Sequence, residues 1–435
     1  MKKNQEKLIF NFKNTQLKEE EFKNYKTEYE EIIKKLQKAS NEKFNCLEAS
    51  INLIDDNNII EESRIVNNKL KDAKIIVVIG IGGSNLGTIA IYEALKGKYY
   101  NQIQDKKVYF ADTTDSNKIR SIILLLEKHI KKKEKIVLNV ISKSGGTTET
   151  IANFEIFLEF LKNNQLNYQK YIVATTEKDS KLYDLSKKNN FNILTLEKNI
   201  GGRYSVFSNV GIFPLMFLEI NVEKLIQGAK EIKEICLNKN YKKNPALNNA
   251  LILLLNSKKG INIVNSFFFS EQLESIGKWY RQLMGESIGK EFNLNKKKIN
   301  FGLTPTTSIG STDLHSMGQL FLGGPNDKYH QIIKINKVKK EKLPKLKEFE
   351  NIVSNIQGIT LDKILNAIIS GIENSFKERK ISFSSILFEE LTEFEIGGFL
   401  QMKMFEIIYL GYLLNINPFD QPNVEEYKII TKKYF

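Results

Sequence analysis

The rhythm of apolar and polar positions changes near residue 70. Residues 1 to about 66 are polar and carry neither glycine nor proline, which predicts a helix-rich segment. From Lys74 onward, short β-branched runs alternate with longer amphipathic stretches. "KIIVVIGIGG", "KKVYFADTTD", "KIVLNVISKSGG", "QKYIVATTEKDS" and "FNILTL" read as strands, with helices between them such as "TTETIANFEIFLEFLKNN". The pattern then starts again. "KGINIVNSFFFS" is strand-like, "EQLESIGKWYRQLMGESIGK" is a long amphipathic helix, "KINFGLTPTTSIG" a strand and loop, "DLHSMGQLFLGG" a helix and "HQIIKINKV" a strand. Strands alternating with helices predict an α/β fold of parallel sheets flanked by helices. The expected organisation is a helical segment over 1–66, one α/β unit over 67–214, a second over 215–410, and a C-terminal helix within 411–435. No fixed-period repeat and no long low-complexity tract interrupts it.

Composition narrows the function class only a little. The chain has 435 residues, 41% hydrophobic and 27% charged, ordinary proportions for a soluble protein. Its two cysteines, Cys46 and Cys236, are far apart, which excludes a disulfide framework or a cysteine zinc site and suits a reducing, cytoplasmic setting. The run Leu8-Ile9-Phe10 is too short for a signal peptide. "FLQMKMFEIIYLGYLL" carries Gln401, Lys403 and Glu406, so it reads as a buried helix and not a membrane span. The formal charge is +14, yet only five of the 65 basic residues are arginine, the better residue for phosphate forks and base stacking. Nucleic acid is therefore not an expected partner. A positive field still draws in a small acidic substrate.

The glycines after the first apolar run raise the question of chemistry. Gly80-Ile81-Gly82-Gly83, then Ser84 at a helix start, is the layout of an anion-holding turn. It completes neither nucleotide motif. Asn85 stands at the third glycine position of G-x-G-x-x-G, and Thr88 where a Walker loop needs lysine. Asp112, at the end of the next strand, keeps a dinucleotide reading open. "ISKSGGTTET" offers Ser142, Ser144, Thr147 and Thr148 around two glycines, a second neutral cup for a phosphate dianion. Parallel strands that are neighbours bring such ends together, where open α/β sheets bind ligands. In "IGGRYSVFSNVG" two glycines let Arg203 approach a ligand and face a developing oxyanion; a surface ion pair is the plainer alternative. In "RQLMGESIGK", Gln282 and Glu286 lie four apart on one helix face, where a carboxylate can act as general base. His315, in "STDLHSMGQ", starts a helix after a strand end and is placed to shuttle a proton. No histidine or carboxylate grouping has metal-ligand spacing, and no cofactor is expected.

In order along the chain, "GIGGSNLG", "SKSGGTTET", "IGGRYSVFSNVG", "GESIGK", "DLHSMGQ" and "PFDQPNVEEYK" resemble the blocks of the glucose-6-phosphate isomerase family, of its shorter bacterial type, over about Ile79 to Lys428. The resemblance implies two sugar-isomerase-type domains, a metal-independent homodimer with shared active sites, and interconversion of D-glucose 6-phosphate and D-fructose 6-phosphate in glycolysis and gluconeogenesis. It implies that Gly83, Ser84, Ser142, Ser144 and Thr147 hold the phosphate, with Lys143 helping through its backbone. Glu286 is then the base between C2 and C1, and Arg203 steadies the enediolate. His315, from the partner subunit, and Lys428 assist ring opening, Gln282 and Gln421 position the sugar, and Glu149 orients the histidine. Gly146, Asn209, Ile288 and Asn423 depart from the family's usual residues.

Overall fold

The structure is a computed structural model and describes residues 8–434; residues 1–7 of the expected helical segment, and Phe435, lie outside the described residues. The described residues open with a short strand, β1 (Ile9–Asn11), before the expected helices, among them Lys26–Ala39 and Asn57–Lys69. The β-branched runs then form β2 (Ala73–Ile79), β3 (Lys107–Ala111), β4 (Lys135–Ile141), β5 (Ile172–Glu177) and β6 (Asn192–Leu196). These make one five-stranded parallel sheet in the order β3-β2-β4-β5-β6. Every residue of β2 except Lys74 is buried, as a strand covered by helices on both faces requires.

The second half repeats this winding. β7 (Ile263–Phe268) is followed by a two-stranded hairpin of β8 (Lys290–Phe292) and β9 (Lys298–Phe301), then by β10 (Thr304–Ile309), β11 (Lys328–Ile335) and β12 (Phe383–Phe388). The larger sheet runs β1-β12-β11-β7-β10. From its first strand, each sheet adds one neighbour on one side and then crosses to the other. The fifth place differs: β1 fills it, antiparallel to β12, with Ile9 opposite Leu387. The N-terminal segment therefore contributes a strand as well as helices.

Two readings along the second half are refined. "KINFGLTPTTSIG" is two strands, because β9 pairs antiparallel with β8 while β10 pairs parallel with β7. "DLHSMGQLFLGG" is two short helices, Thr312–Ser316 and Gly318–Gly323, with Met317 between them, its φ at −118° capping the first and opening the second.

Between the sheets runs the Glu274–Ile288 helix. Gly277 lets it lie on β10, since a Cβ there would sit 2.4 Å from the Thr307 methyl. Behind it the Glu393–Leu413 helix is buried over most of its length. Its charged pair is compatible with burial because the charges meet each other: Lys403 Nζ donates to Glu406 Oε2 at 2.9 Å and to Gln331 Oε1 at 2.7 Å. Among the described residues no helix is long and apolar enough to cross a membrane.

Candidate functional site

The two glycine-bearing loops leave the carboxyl ends of β2 and β4, which are neighbours in the first sheet. β3 lies on one side of β2 and the later strands on the other, so the winding reverses here and opens a crevice beyond the strand ends. Gly82–Ser84 forms a single tight helical turn, with Gly82 at φ +58°. A Cβ on Gly83 would come within 2.1 Å of the Gly202 carbonyl carbon and 2.6 Å of the Arg203 nitrogen. Only glycine lets the first loop rest against the backbone that carries the arginine. Ser84, Lys143 and Gly202 line one cleft, together with Ile141 and Ser205.

The second loop is held from inside. The Ser142 hydroxyl is buried, lies 3.1 Å from Thr147 Oγ1 and accepts from the Thr147 N–H at 3.4 Å. Ser142 thus shapes the loop, while Ser144 is exposed and Thr147 half-buried on it. The Lys143 ammonium donates to the Lys198 carbonyl at 2.6 Å and pairs with Glu177 at 3.5 Å, so its side chain fastens the loop to its neighbours. Gly146 borders open space, and a side chain there meets nothing within 4 Å.

Arg203 is the centre of the arrangement. Its side chain is 1% exposed, and its guanidinium makes five hydrogen bonds. Nε donates to Ser287 Oγ at 2.7 Å, Nη1 to Gln421 Oε1 at 2.6 Å and to Glu286 Oε2 at 3.2 Å, and Nη2 to the carbonyls of Pro418 at 2.8 Å and Asp420 at 3.1 Å. A buried guanidinium needs such a fork of acceptors. Tyr204 lies beside it, with its hydroxyl 3.1 Å from Ser287 Oγ and 3.3 Å from the Pro418 carbonyl. Burial pushes the Tyr204 phenol up, so it stays a neutral donor.

Glu286 is presented by the last turn of the Glu274–Ile288 helix and is a third exposed. Its second oxygen accepts from Gln282 Nε2 at 3.0 Å, the contact that their spacing of four predicts. Gln282 Oε1 is buried without a hydrogen-bond partner among the described residues. Lys290 closes the far side. Its ammonium donates to the Glu286 carbonyl at 3.0 Å and the Asp420 carbonyl at 2.5 Å, and pairs with Asp420 Oδ1 at 3.1 Å. Burial lowers the Lys290 pKa against the pull of Asp420.

Glu286, Gln282, Arg203 and Gln421 are therefore brought together, with Gly83 against the arginine loop. His315 and Lys428 are not joined to them. His315 is exposed on the Thr312–Ser316 helix, with no side-chain hydrogen bond or ion pair among the described residues. Lys428 is exposed on the Val424–Thr431 helix and pairs with Glu425 at 2.8 Å. Glu149 is half-buried in the first turn of the Thr148–Asn164 helix and has no such bond either. Asp112, the acid that kept a dinucleotide reading open, is paired with Lys118.

Of the departures from the family pattern, Asn209, Asn423 and Ile288 are held by their surroundings, and Gly146 is not. Asn209 donates to Glu62 Oε2 and the Thr195 carbonyl and accepts from Ser63, which ties the Asn57–Lys69 helix to the first sheet. Asn423 donates to Glu291 at 3.0 Å, and Ile288 is fully buried. The reading of motifs did not single out Ser287, Tyr204, Lys290 or the Pro418 and Asp420 carbonyls. The first three lie inside quoted blocks and carry a signal by position. The carbonyls carry none, because every residue has one.

Comparison with known proteins agrees. The family model for phosphoglucose isomerase matches residues 57–434. A probable glucose-6-phosphate isomerase of Methanococcus maripaludis is 34% identical over 412 residues, covering 95% of this chain and 88% of the relative. The glucose-6-phosphate isomerase of Methanocaldococcus jannaschii is 36% identical over 82% of both chains. Among solved structures, a hypothetical protein of Thermus thermophilus superposes with a TM-score of 0.87 at 25% identity, over 98% of this chain and 99% of that one. A glucose-6-phosphate isomerase of Chlamydia trachomatis shares the fold, with a TM-score of 0.75 at 23% identity over 89% of this chain and 74% of that one. With a family model spanning most of its length and relatives above 30% identity, this chain belongs to the phosphoglucose isomerase family.

Proposed function

We propose that this protein interconverts D-glucose 6-phosphate and D-fructose 6-phosphate through an enediolate, as a glycolytic and gluconeogenic isomerase. The observation that carries the reading is the convergence of Glu286, Arg203, Gln282 and Gln421 beside the loops of Ser84 and Ser142–Thr147. The loops suit a phosphate dianion, with Ser84, Ser144 and Thr147 as donors, Gly83 and the Lys143 backbone beside them, and Ser142 holding the second loop in shape. The phosphate stays out of the chemistry and its binding energy holds C1 and C2 in place.

The Glu286 carboxylate takes the C2 proton of the open aldose. The C2–H electron pair becomes the C1–C2 double bond, and the C1 carbonyl oxygen gains the negative charge. The same carboxylic acid then returns the proton to C1 while the C2 hydroxyl proton passes to the neighbouring C1 oxygen, so that the C2 oxygen becomes the ketose carbonyl and the C1 oxygen a hydroxyl. Arg203 steadies the charged oxygens. Its 3.2 Å contact with Glu286 is the longest of its five hydrogen bonds, so it is the one most readily exchanged for a substrate oxygen. The unpartnered Gln282 Oε1 supports a role in accepting a sugar hydroxyl.

His315 and Lys428 act in ring opening. His315 is exposed and remote in bonding from Glu286 in its own chain, which supports a homodimer in which the partner's copy completes each site, with Glu149 orienting it. The protein works in the cytoplasm and without metal. These parts fall into two sugar-isomerase-type domains over 67–214 and 215–410, with 411–435 closing the site.

A coupled assay on fructose 6-phosphate in the presence of EDTA gives steady formation of glucose 6-phosphate; no product would remove the proposal. Mixing Glu286→Gln protein with His315→Ala protein, unfolding and reassembling them, restores part of the activity that each lacks alone. Failure to restore any would place His315 and Glu286 of one site on one subunit.

A further inference from the structure

Lys290 has no part in the mechanism above, yet it is one of the most enclosed cations of the chain, with a side chain 4% exposed. As the first residue of β8 it turns back onto the helix that ends at Ile288. Its ammonium caps the Glu286 carbonyl, where the helix dipole is negative. The same ammonium reaches the Asp420 carbonyl and carboxylate. Arg203 Nη2 donates to that same carbonyl. Two cations from distant parts of the sequence therefore grip one peptide of the 418–421 loop. One of them also grips the turn bearing the carboxylate, and the other holds Gln421 itself. This is more than a salt bridge for stability, because one carbonyl held belongs to Glu286 itself and the other to the residue directly before Gln421.

We propose that Lys290 is a positioning residue for the isomerisation: it locks the last turn of the Glu286 helix to the Asp420 peptide, so that Glu286 and Gln421 keep one geometry around the substrate's C1 and C2. This rests on the function proposed above. Holding a base to within a fraction of an ångström is a rate effect, and misplacement by about 1 Å costs on the order of 10²-fold. Binding through the phosphate loops does not pass through Lys290.

Lys290→Met keeps the aliphatic stem and removes the three N–H donors. In the assay on fructose 6-phosphate its kcat falls by about 10–100-fold with KM within threefold of the parent. Affinity for a phosphorylated five-carbon aldonic acid, which mimics the enediolate, falls in parallel, while inhibition by inorganic phosphate stays constant. Lys290→Arg, which keeps a cation, recovers part of the lost kcat. A kcat within twofold of the parent overturns the proposal. So does a joint change of kcat, KM, phosphate inhibition and melting temperature without rescue by arginine, which is the mark of a fastening with no bearing on rate. If the methionine variant does not fold, Asp420→Asn removes only the half-exposed carboxylate arm of the clasp. A several-fold lower kcat at constant KM then supports the proposal, and an unchanged kcat overturns it. A parent enzyme with no isomerase activity rejects the proposed function instead, so the two failures are distinct.

Discussion

Glu286→Gln lowers kcat by about 10²–10⁴-fold and leaves sugar-phosphate affinity close to that of the parent. The amide has the volume of the carboxylate and no basicity, so no group remains to carry the proton between the two carbons. The local packing tolerates it for a specific reason. One carboxylate oxygen accepts from Arg203 and the other from Gln282 Nε2. An amide keeps an acceptor for the arginine. Its new N–H groups meet the Gln282 side chain, whose own oxygen is unpartnered and comes into place when that amide turns over. The melting temperature therefore moves by only a few degrees. Turnover in the coupled assay and substrate affinity by calorimetry separate the two effects. A variant retaining a tenth of the parent's kcat would assign the base elsewhere.

Arg203→Lys combines a loss of rate with a loss of stability. Lysine brings three N–H groups to a buried place where five acceptors stand. At least two of the five acceptors, drawn from Ser287, Glu286, Gln421 and the Pro418 and Asp420 carbonyls, lose their bond to this cation, although Tyr204 still reaches Ser287 and the Pro418 carbonyl and Lys290 still reaches the Asp420 carbonyl. A lost hydrogen bond to a charged donor costs about 1.5–3 kcal/mol, so a total of roughly 3–6 kcal/mol is expected in denaturant unfolding. With the 418–421 loop loosened and the planar cation gone from the enediolate oxygens, kcat falls by about 10²–10³-fold. Full stability together with near-parental turnover would show that the guanidinium fork matters to neither. Loss of stability alone would confine Arg203 to holding the loop.

The two variants also separate two kinds of legibility. Glu286 and Gln282 were readable together, because their contact follows from a helical spacing of four. The adjacency of the two serine-bearing loops was readable from the rule that ligands gather at strand ends, and the sheet order places β2 beside β4. The buried character of the late apolar helix was readable despite Lys403 and Glu406, although their partners were not. Arg203 was readable as a candidate from its two preceding glycines, but its partners lie far along the chain. Gln421 and the Pro418 and Asp420 carbonyls reach it only through folding, and backbone carbonyls leave no mark in residue identity.

Alone, the sequence determined the alternation of strands and helices, the two glycine-and-hydroxyl loops, the helix with its glutamine and glutamate, and the family that these blocks resemble. All of these are local: period, turn chemistry and spacing act over a few residues. Tertiary structure decided that β1 closes the second sheet as an antiparallel edge, that Ser142 faces inward, that Gly83 rests on the Arg203 backbone, and that Arg203 and Lys290 share the Asp420 carbonyl. It also left His315 and Lys428 outside the cluster in a single chain. The reason is that, apart from the Ser142–Thr147 contact inside one loop, such contacts join segments more than a hundred residues apart, and their energy depends on which buried donors meet which acceptors, a pairing that no short window of sequence contains.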